Sequence, residues 1–176
     1  MCQALLNDEI VVLCAPEPDD LEQLFVWEND ASLWNVGNAV APYSHKQLWD
    51  YINDYEADIF KSRQLKFIIK LKSTGESVGE IDVFDFDPVN RHASVGVLID
   101  GSYRKKGYAY RALKLLCDYC DRHLGMHSLI ALTELGNDAA QALFKKAKFE
   151  ANGCLKSWVR HGNAYKDVVV LQKLFA

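Results

Sequence analysis

The chain has 176 residues, of which 49% are hydrophobic and 25% charged, enough to bury a sizeable core and too apolar for a disordered polymer. One folding unit over residues 1–176 fits that length. A formal net charge of -4 argues against a general nucleic-acid binder, because such domains carry a basic surplus.

Residues 9 to 14, EIVVLC, are apolar and β-branched and predict a first strand; Pro16 to Asp20 breaks it and supplies acids for a helix start. Leu21, Leu24, Phe25 and Glu28 continue a helical period. A second helix is expected from about Ser44 to Asp58, capped by Ser44, with the loop WNVGNAVAPY between the two. An antiparallel meander follows, LKFIIKLK, SVGEIDVFDFD and HASVGVLID, separated by the turn-forming STGE and DPVNR. The next helix turns Ala109, Ala112, Leu113, Leu116 and Cys120 toward the sheet. A strand over 128–133, a helix over 137–148, and two strands turned at RHGN between Glu150 and Phe175 complete the chain. The order predicts an α+β fold: a mixed, mostly antiparallel sheet of about seven strands flanked by about four helices, with one strand–helix–strand crossover around residues 92 to 133.

The N-terminus, MCQALLNDEI, lacks the basic start and apolar run of a signal peptide, and no window reaches the length of a membrane span, so a cytoplasmic protein without a membrane partner is expected. Five cysteines, odd in number and scattered, argue against a disulfide framework. Cys117 and Cys120 spell CDYC inside a helical pattern, and neither they nor the histidines have the spacing of a metal site.

The stretch SYRKKGYAYRAL carries the strongest chemical signal. Arg104, Lys105 and Lys106 crowd the start of a helix, whose dipole and unpaired amides are already positive, an arrangement that is unfavourable unless an anion arrives. Arg104, Lys105, Lys106, Gly107, Tyr108 and Ala109 form the turn; Gly107 permits unusual dihedrals and close approach, and Ala109 is too small to block it, so successive amides can point at one oxyanion. A solvated basic turn is the plain alternative. The spacing matches neither a P-loop nor a Rossmann turn.

The run LIDGSYRKKGYAYRAL resembles the acetyl-coenzyme A signature of the GNAT N-acetyltransferases: Arg or Gln, two residues, Gly, one residue, Gly or Ala. NDAAQALFKKAKFE is similar to that superfamily's second signature, an asparagine and then a helix ending in a phrase like YEKLGF. The ending GNAYKDVVVLQKL resembles the polyamine-type pattern NGxYxD. Together these cover nearly the whole chain, and the resemblance is closest to the branch of the spermidine and the ribosomal-protein N-terminal acetyltransferases.

The resemblance implies acetyl-CoA as co-substrate and a primary amine as acceptor, a small amine or polyamine or else a peptide N-terminus, with direct attack in a ternary complex. It implies that Arg104, Lys105, Lys106, Gly107, Tyr108, Ala109 and Tyr110 wrap the pyrophosphate, and that the backbone of Val97, Leu98 and Ile99 pairs with the pantetheine arm as with an added strand. Asn137 would hydrogen-bond the arm or its water, a role compatible with an ordinary helix N-cap. Members of this branch often form dimers or larger rings, which makes a homo-oligomer an expectation.

Two positions depart from the family. Phe144 stands where the second signature expects the tyrosine that protonates the departing thiolate; it can pack on the arm but cannot donate. Ser94 stands where a phrase like AEIGY places a glutamate base. The nearest substitutes are Glu80 and Asp82, which by the period of two share a strand face with Phe84 and Phe86; the alternative is that both face solvent. Asp85 and Asp87 are expected in a turn. Trp27, Trp34, Tyr43 and Trp49 gather around the first two helices, where the family lines its acceptor side, and His45 reads as an early-helix residue. The departures at Phe144 and Ser94 also fit a coenzyme A-binding protein without catalysis, and a nucleotide-binding module using the basic turn is a further alternative.

Overall fold

The structure, a computed structural model, describes residues 5–31 and 41–175. Seven strands form one sheet in the order β1-β2-β3-β4-β5-β7-β6. These are β1 (Val11–Cys14), β2 (Leu65–Leu71), β3 (Ser77–Asp87), β4 (His92–Ile99), β5 (Ser128–Glu134), β6 (Glu150–His161) and β7 (Ala164–Leu174). The helices are α1 (Leu21–Glu28), α2 (His45–Asn53), the single turn α3 (Ile59–Ser62), α4 (Tyr108–Arg122) and α5 (Asp138–Lys146). The expected α+β architecture holds, with α3 added to the four longer helices. Strands β4 and β5 are the parallel pair, joined by α4 as the predicted crossover; the other neighbours run antiparallel.

Alternation of side chains sorts the two faces of the sheet. Ile69, Ile81, Val83 and Val95 join the buried cluster of Ala112, Leu113, Leu116 and Cys120 of α4. Leu113 and Leu116 are fully buried, a contribution of about 1.5–3 kcal/mol each, against ~0.2–1 kcal/mol for an exposed ion pair. The apolar stripe of α4 therefore fixes its position, and its surface charges do not. On the opposite face Leu24 and Trp27 of α1 and Leu48 and Ile52 of α2 close over Ile68, with Leu98 packed against them.

Two expectations are corrected. The second helix begins at the Ser44 cap but ends at Asn53, short of Asp58. The chain leaves the helix because Tyr55 is used elsewhere: its hydroxyl donates to the carbonyl of Lys66 and accepts from the Lys66 amide, both at 2.9 Å. It thereby serves the end of β2 that β1, paired only from Ile68 to Leu71, does not reach. Asp58 instead caps α3 by accepting from the Phe60 amide.

The second correction concerns Phe86, which does not share a face with Glu80 and Asp82. The register slips between Phe84 and Asp87, with Asp85 at φ 53, and one extra residue inverts the alternation. Phe86 drops into the core under α4, 3% exposed, while Phe84 stays on the α1–α2 face. Asp87 holds the following turn as expected, accepting from the amides of Val89 and Asn90.

The decisive feature for function is a divergence. Strands β4 and β5 pair only through His92–Ser128, Ala93–Leu129 and Ser94–Ile130. Beyond that point β4 stays with β3 as far as Ile99, and β5 stays with β7 as far as Glu134. A V-shaped gap opens between them.

Candidate active site

The basic turn lies at the open end of the V. After β4, Asp100 caps a 3-10 turn over Gly101–Tyr103 by accepting from the Ser102 amide, and its other oxygen accepts from the indole of Trp27 at 3.0 Å. These bonds, the indole's first, hold the Asp100 carboxyl below its usual range. Trp27 is thus a strut from α1 to the turn and is 4% exposed, so it forms no open acceptor wall.

Lys105 at φ 62 and Gly107 at φ 85 put left-handed residues on either side of Lys106. Such a backbone curls successive amides toward one point and favours an anion there. Lysine in this conformation costs about 1–2 kcal/mol. Gly107 is the N-cap of α4 and offers no side-chain cap, so among the described residues no side chain caps the amides of Tyr108, Ala109 and Tyr110 that begin the helix. Arg104, Lys105 and Lys106 are exposed; Arg104 donates to the Ile99 carbonyl and Lys106 lies 4.9 Å from the Tyr103 ring centroid. An added Cβ at Gly107 would meet nothing within 4 Å, which leaves the approach to these amides clear.

Inside the V, Val97, Leu98 and Ile99 pair with Ile81, Glu80 and Gly79 on one side only. The other edge of β4 faces the gap and presents alternate main-chain groups, those of Val97 and Ile99, with the Ile99 carbonyl accepting from Arg104, an edge suited to an extended ligand with amides of its own. The structure therefore places the basic turn directly after the stretch of β4 that lacks a partner on one side. Asn137 caps α5 by accepting from the Ala140 amide at 3.1 Å, beside the V where β5 ends.

Glu80 and Asp82 stand on the α1–α2 face of β3, next to Leu98 and Gly96 of β4. They do not project into solvent. Lys66, opposite Asp82 on β2, places its ammonium 3.0 Å from Glu80 and 2.8 Å from Glu28 of α1. The Lys66 and Glu80 side chains are only 15% and 13% exposed. Burial pushes Glu80 up to about 7 and Asp82 up to about 6; the pull of Lys66 opposes this, and Glu28 adds repulsion. Burial would lower Lys66, but Glu80, Glu28 and Asp82 outweigh it and hold its ammonium well above the usual range. Burial likewise raises the Tyr51 phenol, whose electrostatic neighbours include Lys66, Asp82 and Glu80. Glu28, Lys66 and Tyr51 escaped the sequence reading; the signal for Lys66 was its alternation with Ile68 across a register that only the turn at STGE sets.

Other expected positions are more ordinary. Phe144 is 4% exposed, its ring edge-on to Phe149 at 5.1 Å, and Ser94 is buried where β4 and β5 still pair. Trp49 and Tyr43 are exposed on the α1–α2 side, and Trp34 lies outside the described residues. His45 begins α2 and stacks on Phe25 at 3.7 Å. Cys117 and Cys120 lie on the buried side of α4. Among the described residues no helix is long and apolar enough to cross a membrane.

A sheet split into a V beside a parallel crossover, with a basic turn at its mouth, is the fold of acyl-coenzyme A-dependent transferases. The family described as the acetyltransferase (GNAT) domain matches residues 11–150, and the chain belongs to that family of acetyltransferases, whose acetyl donor is acetyl-CoA. The chain is 26% identical over 153 residues to the spermidine N(1)-acetyltransferase of Escherichia coli K12, covering 87% of this chain and 80% of that one. It is 23% identical to an uncharacterized N-acetyltransferase, p20, of Bacillus licheniformis over 96% of this chain and 95% of the relative. The fold is similar to that of the spermidine N-acetyltransferase of Vibrio cholerae, solved with CoA and spermine, at a TM-score of 0.84, 21% identity and 96% coverage of each chain.

Proposed function

We propose that this protein transfers the acetyl group of acetyl-CoA to a primary amine of a small polycation, of the polyamine class, within a ternary complex. One observation carries the reading: among the described residues, the carboxylates of Glu28, Glu80 and Asp82 gather around Lys66 beside the open part of β4. A buried cluster with more anions than cations favours the entry of a further cation, and an alkylammonium is one.

The same cluster supplies a proton acceptor. Glu80 near 7 is poised for general-base work at neutral pH. The amine nitrogen bonds to the thioester carbonyl carbon, the carbon–sulfur bond breaks, and the amine proton passes to Glu80, with Asp82 as its neighbour, directly or through water. An amine of pKa ~10.4 gives up that proton at a cost of about 4–5 kcal/mol, so a base in place at the moment of attack is what the chemistry requires. Arg104, Lys105, Lys106, Gly107, Tyr108, Ala109 and Tyr110 hold the pyrophosphate; Val97, Leu98 and Ile99 hold the arm, with Asn137 and Phe144 along it. The E. coli relative and the V. cholerae structure with CoA and spermine support both the donor and the class of acceptor.

The reading takes residues 1–176 as one acetyltransferase domain in a reducing, cytoplasmic setting, which suits the free Cys14, Cys117, Cys120 and Cys154 among the described residues. It also takes the protein as a homo-oligomer: Trp158 and Tyr165 of the outer hairpin are 58% and 59% exposed, and a V. cholerae spermidine N-acetyltransferase of the same fold is dodecameric.

Phe144 favours a second reading, a coenzyme A-binding protein that has lost turnover, because the ring offers the thiolate no proton. Thiol release from acetyl-CoA with diamines, polyamines and a peptide with a free N-terminus decides between them. Turnover on polyamines supports the first reading, turnover on the peptide alone redirects the acceptor, and binding without turnover on any amine supports the second.

A further inference from the structure

Thr133 is an anomaly on the inner side of the V. In β5 the buried positions alternate as Leu129, Ala131 and Thr133, with Leu132 turned outward at 46% exposure. Thr133 is 5% exposed, and its hydroxyl is the buried side-chain polar atom that finds no hydrogen-bond partner among the described residues. A valine would fill the same space without that deficit. Buried hydroxyls are nearly always satisfied, so an exception requires a reason.

Its position supplies one. The last rung joining β4 to β5 is Ser94–Ile130, and counting three residues further along each diverging strand sets Thr133 level with Val97 across the opening gap. The backbone of Thr133 pairs with Val169 on β7, away from the gap. The residue thus lies beside the stretch of β4 that the proposed function assigns to the pantetheine arm, on the α4 and α5 side of the sheet, where Val97 also packs.

We propose that the Thr133 hydroxyl is a binding and positioning group for the acyl donor, completing its hydrogen bonding with a secondary amide of the arm once the arm occupies the V. A hydroxyl both donates and accepts, so either half of an amide satisfies it. This rests on the reading of the V as the acetyl-CoA groove, and it adds a side-chain contact from β5 to the main-chain contacts from β4.

The test titrates coenzyme A, and separately its bisphosphorylated adenosine fragment that lacks the arm, into wild-type protein, Thr133→Val and Thr133→Ser, and melts each ligand-free protein. The expected result is a loss of coenzyme A affinity in Thr133→Val of about 3- to 10-fold, the range of one neutral hydrogen bond. The fragment should bind unchanged, serine should restore the affinity, and ligand-free Thr133→Val should melt no lower than wild type. The idea is overturned if Thr133→Val binds coenzyme A as wild type does, weakens both probes alike, or melts lower without ligand, since the last means the hydroxyl serves the fold. A wild-type protein that binds neither probe overturns the groove itself and this inference with it; one that binds both while Thr133→Val matches it overturns this inference alone.

Discussion

Asp82 and Gly96 stand directly opposite each other on β3 and β4, and a Cβ at Gly96 would lie 2.6 Å from Oδ1 of Asp82. Glycine makes room for the carboxyl to lie over the neighbouring strand. Gly96→Ala is expected to displace the Asp82 side chain, cost about 1–3 kcal/mol of stability as an overpacked site, and slow acetyl transfer at least several-fold. Chemical denaturation and initial rates measure both. Gly79→Ala should be worse for stability, because its Cβ would meet the main-chain carbonyl of Leu98, which cannot rotate aside.

The pH dependence has a definite sign. Glu80 and Asp82 accept a proton only when ionised, so the rate should rise as pH climbs through about 6 to 7. Stability runs the other way: a carboxyl raised in the folded state binds more protons folded than unfolded between its usual value and about 7, so that contribution is present at low pH and lost as pH rises through this window. Melting curves from pH 5 to 8 should show this decline in wild type and a flatter profile in Glu80→Gln; an unchanged slope would locate the titration elsewhere.

The Lys66 ammonium is bonded to both Glu28 and Glu80. Lys66→Met should leave three crowded carboxylates and destabilise the fold by about 3–5 kcal/mol at neutral pH, the cost of breaking a buried pair from one side. Protonation removes the repulsion, so the loss should shrink in acid. Equal destabilisation at pH 5 and pH 8 would show that lost packing, not charge, is the cause.

Much of this arrangement was legible in the sequence, and its gaps have physical causes. The meander, the crossover and the basic turn follow from alternation and from glycine and charge placement, because each is a local pattern. The end of α2 was not legible, since Tyr55 leaves the helix for a hydrogen bond with Lys66, eleven residues away. Phe86 was misplaced because a single bulge at Asp85 inverts the alternation without a glycine to announce it. Lys66 and Glu28 meet only after two helices fold back on the sheet, and Thr133 looks like any β-branched strand residue until its partners are counted.

Phe144→Tyr restores the hydroxyl that the family's second signature carries. On the proposed placement of Phe144 along the arm, the added donor should raise kcat several-fold and leave the KM for acetyl-CoA nearly unchanged. An unaltered kcat would mean that the thiolate departs without needing that proton, while a drop in melting temperature alone would mean that the new hydroxyl is buried against Phe149.

The most direct measurement is thiol release from acetyl-CoA with spermidine as acceptor, wild type against Glu80→Gln. Saturable turnover by the wild type that falls by about 100-fold or more in the variant is the expected result. Coenzyme A binding with no turnover on spermidine or any other amine, or a variant as fast as the wild type, would contradict the assignment of the buried carboxylates to acetyl transfer.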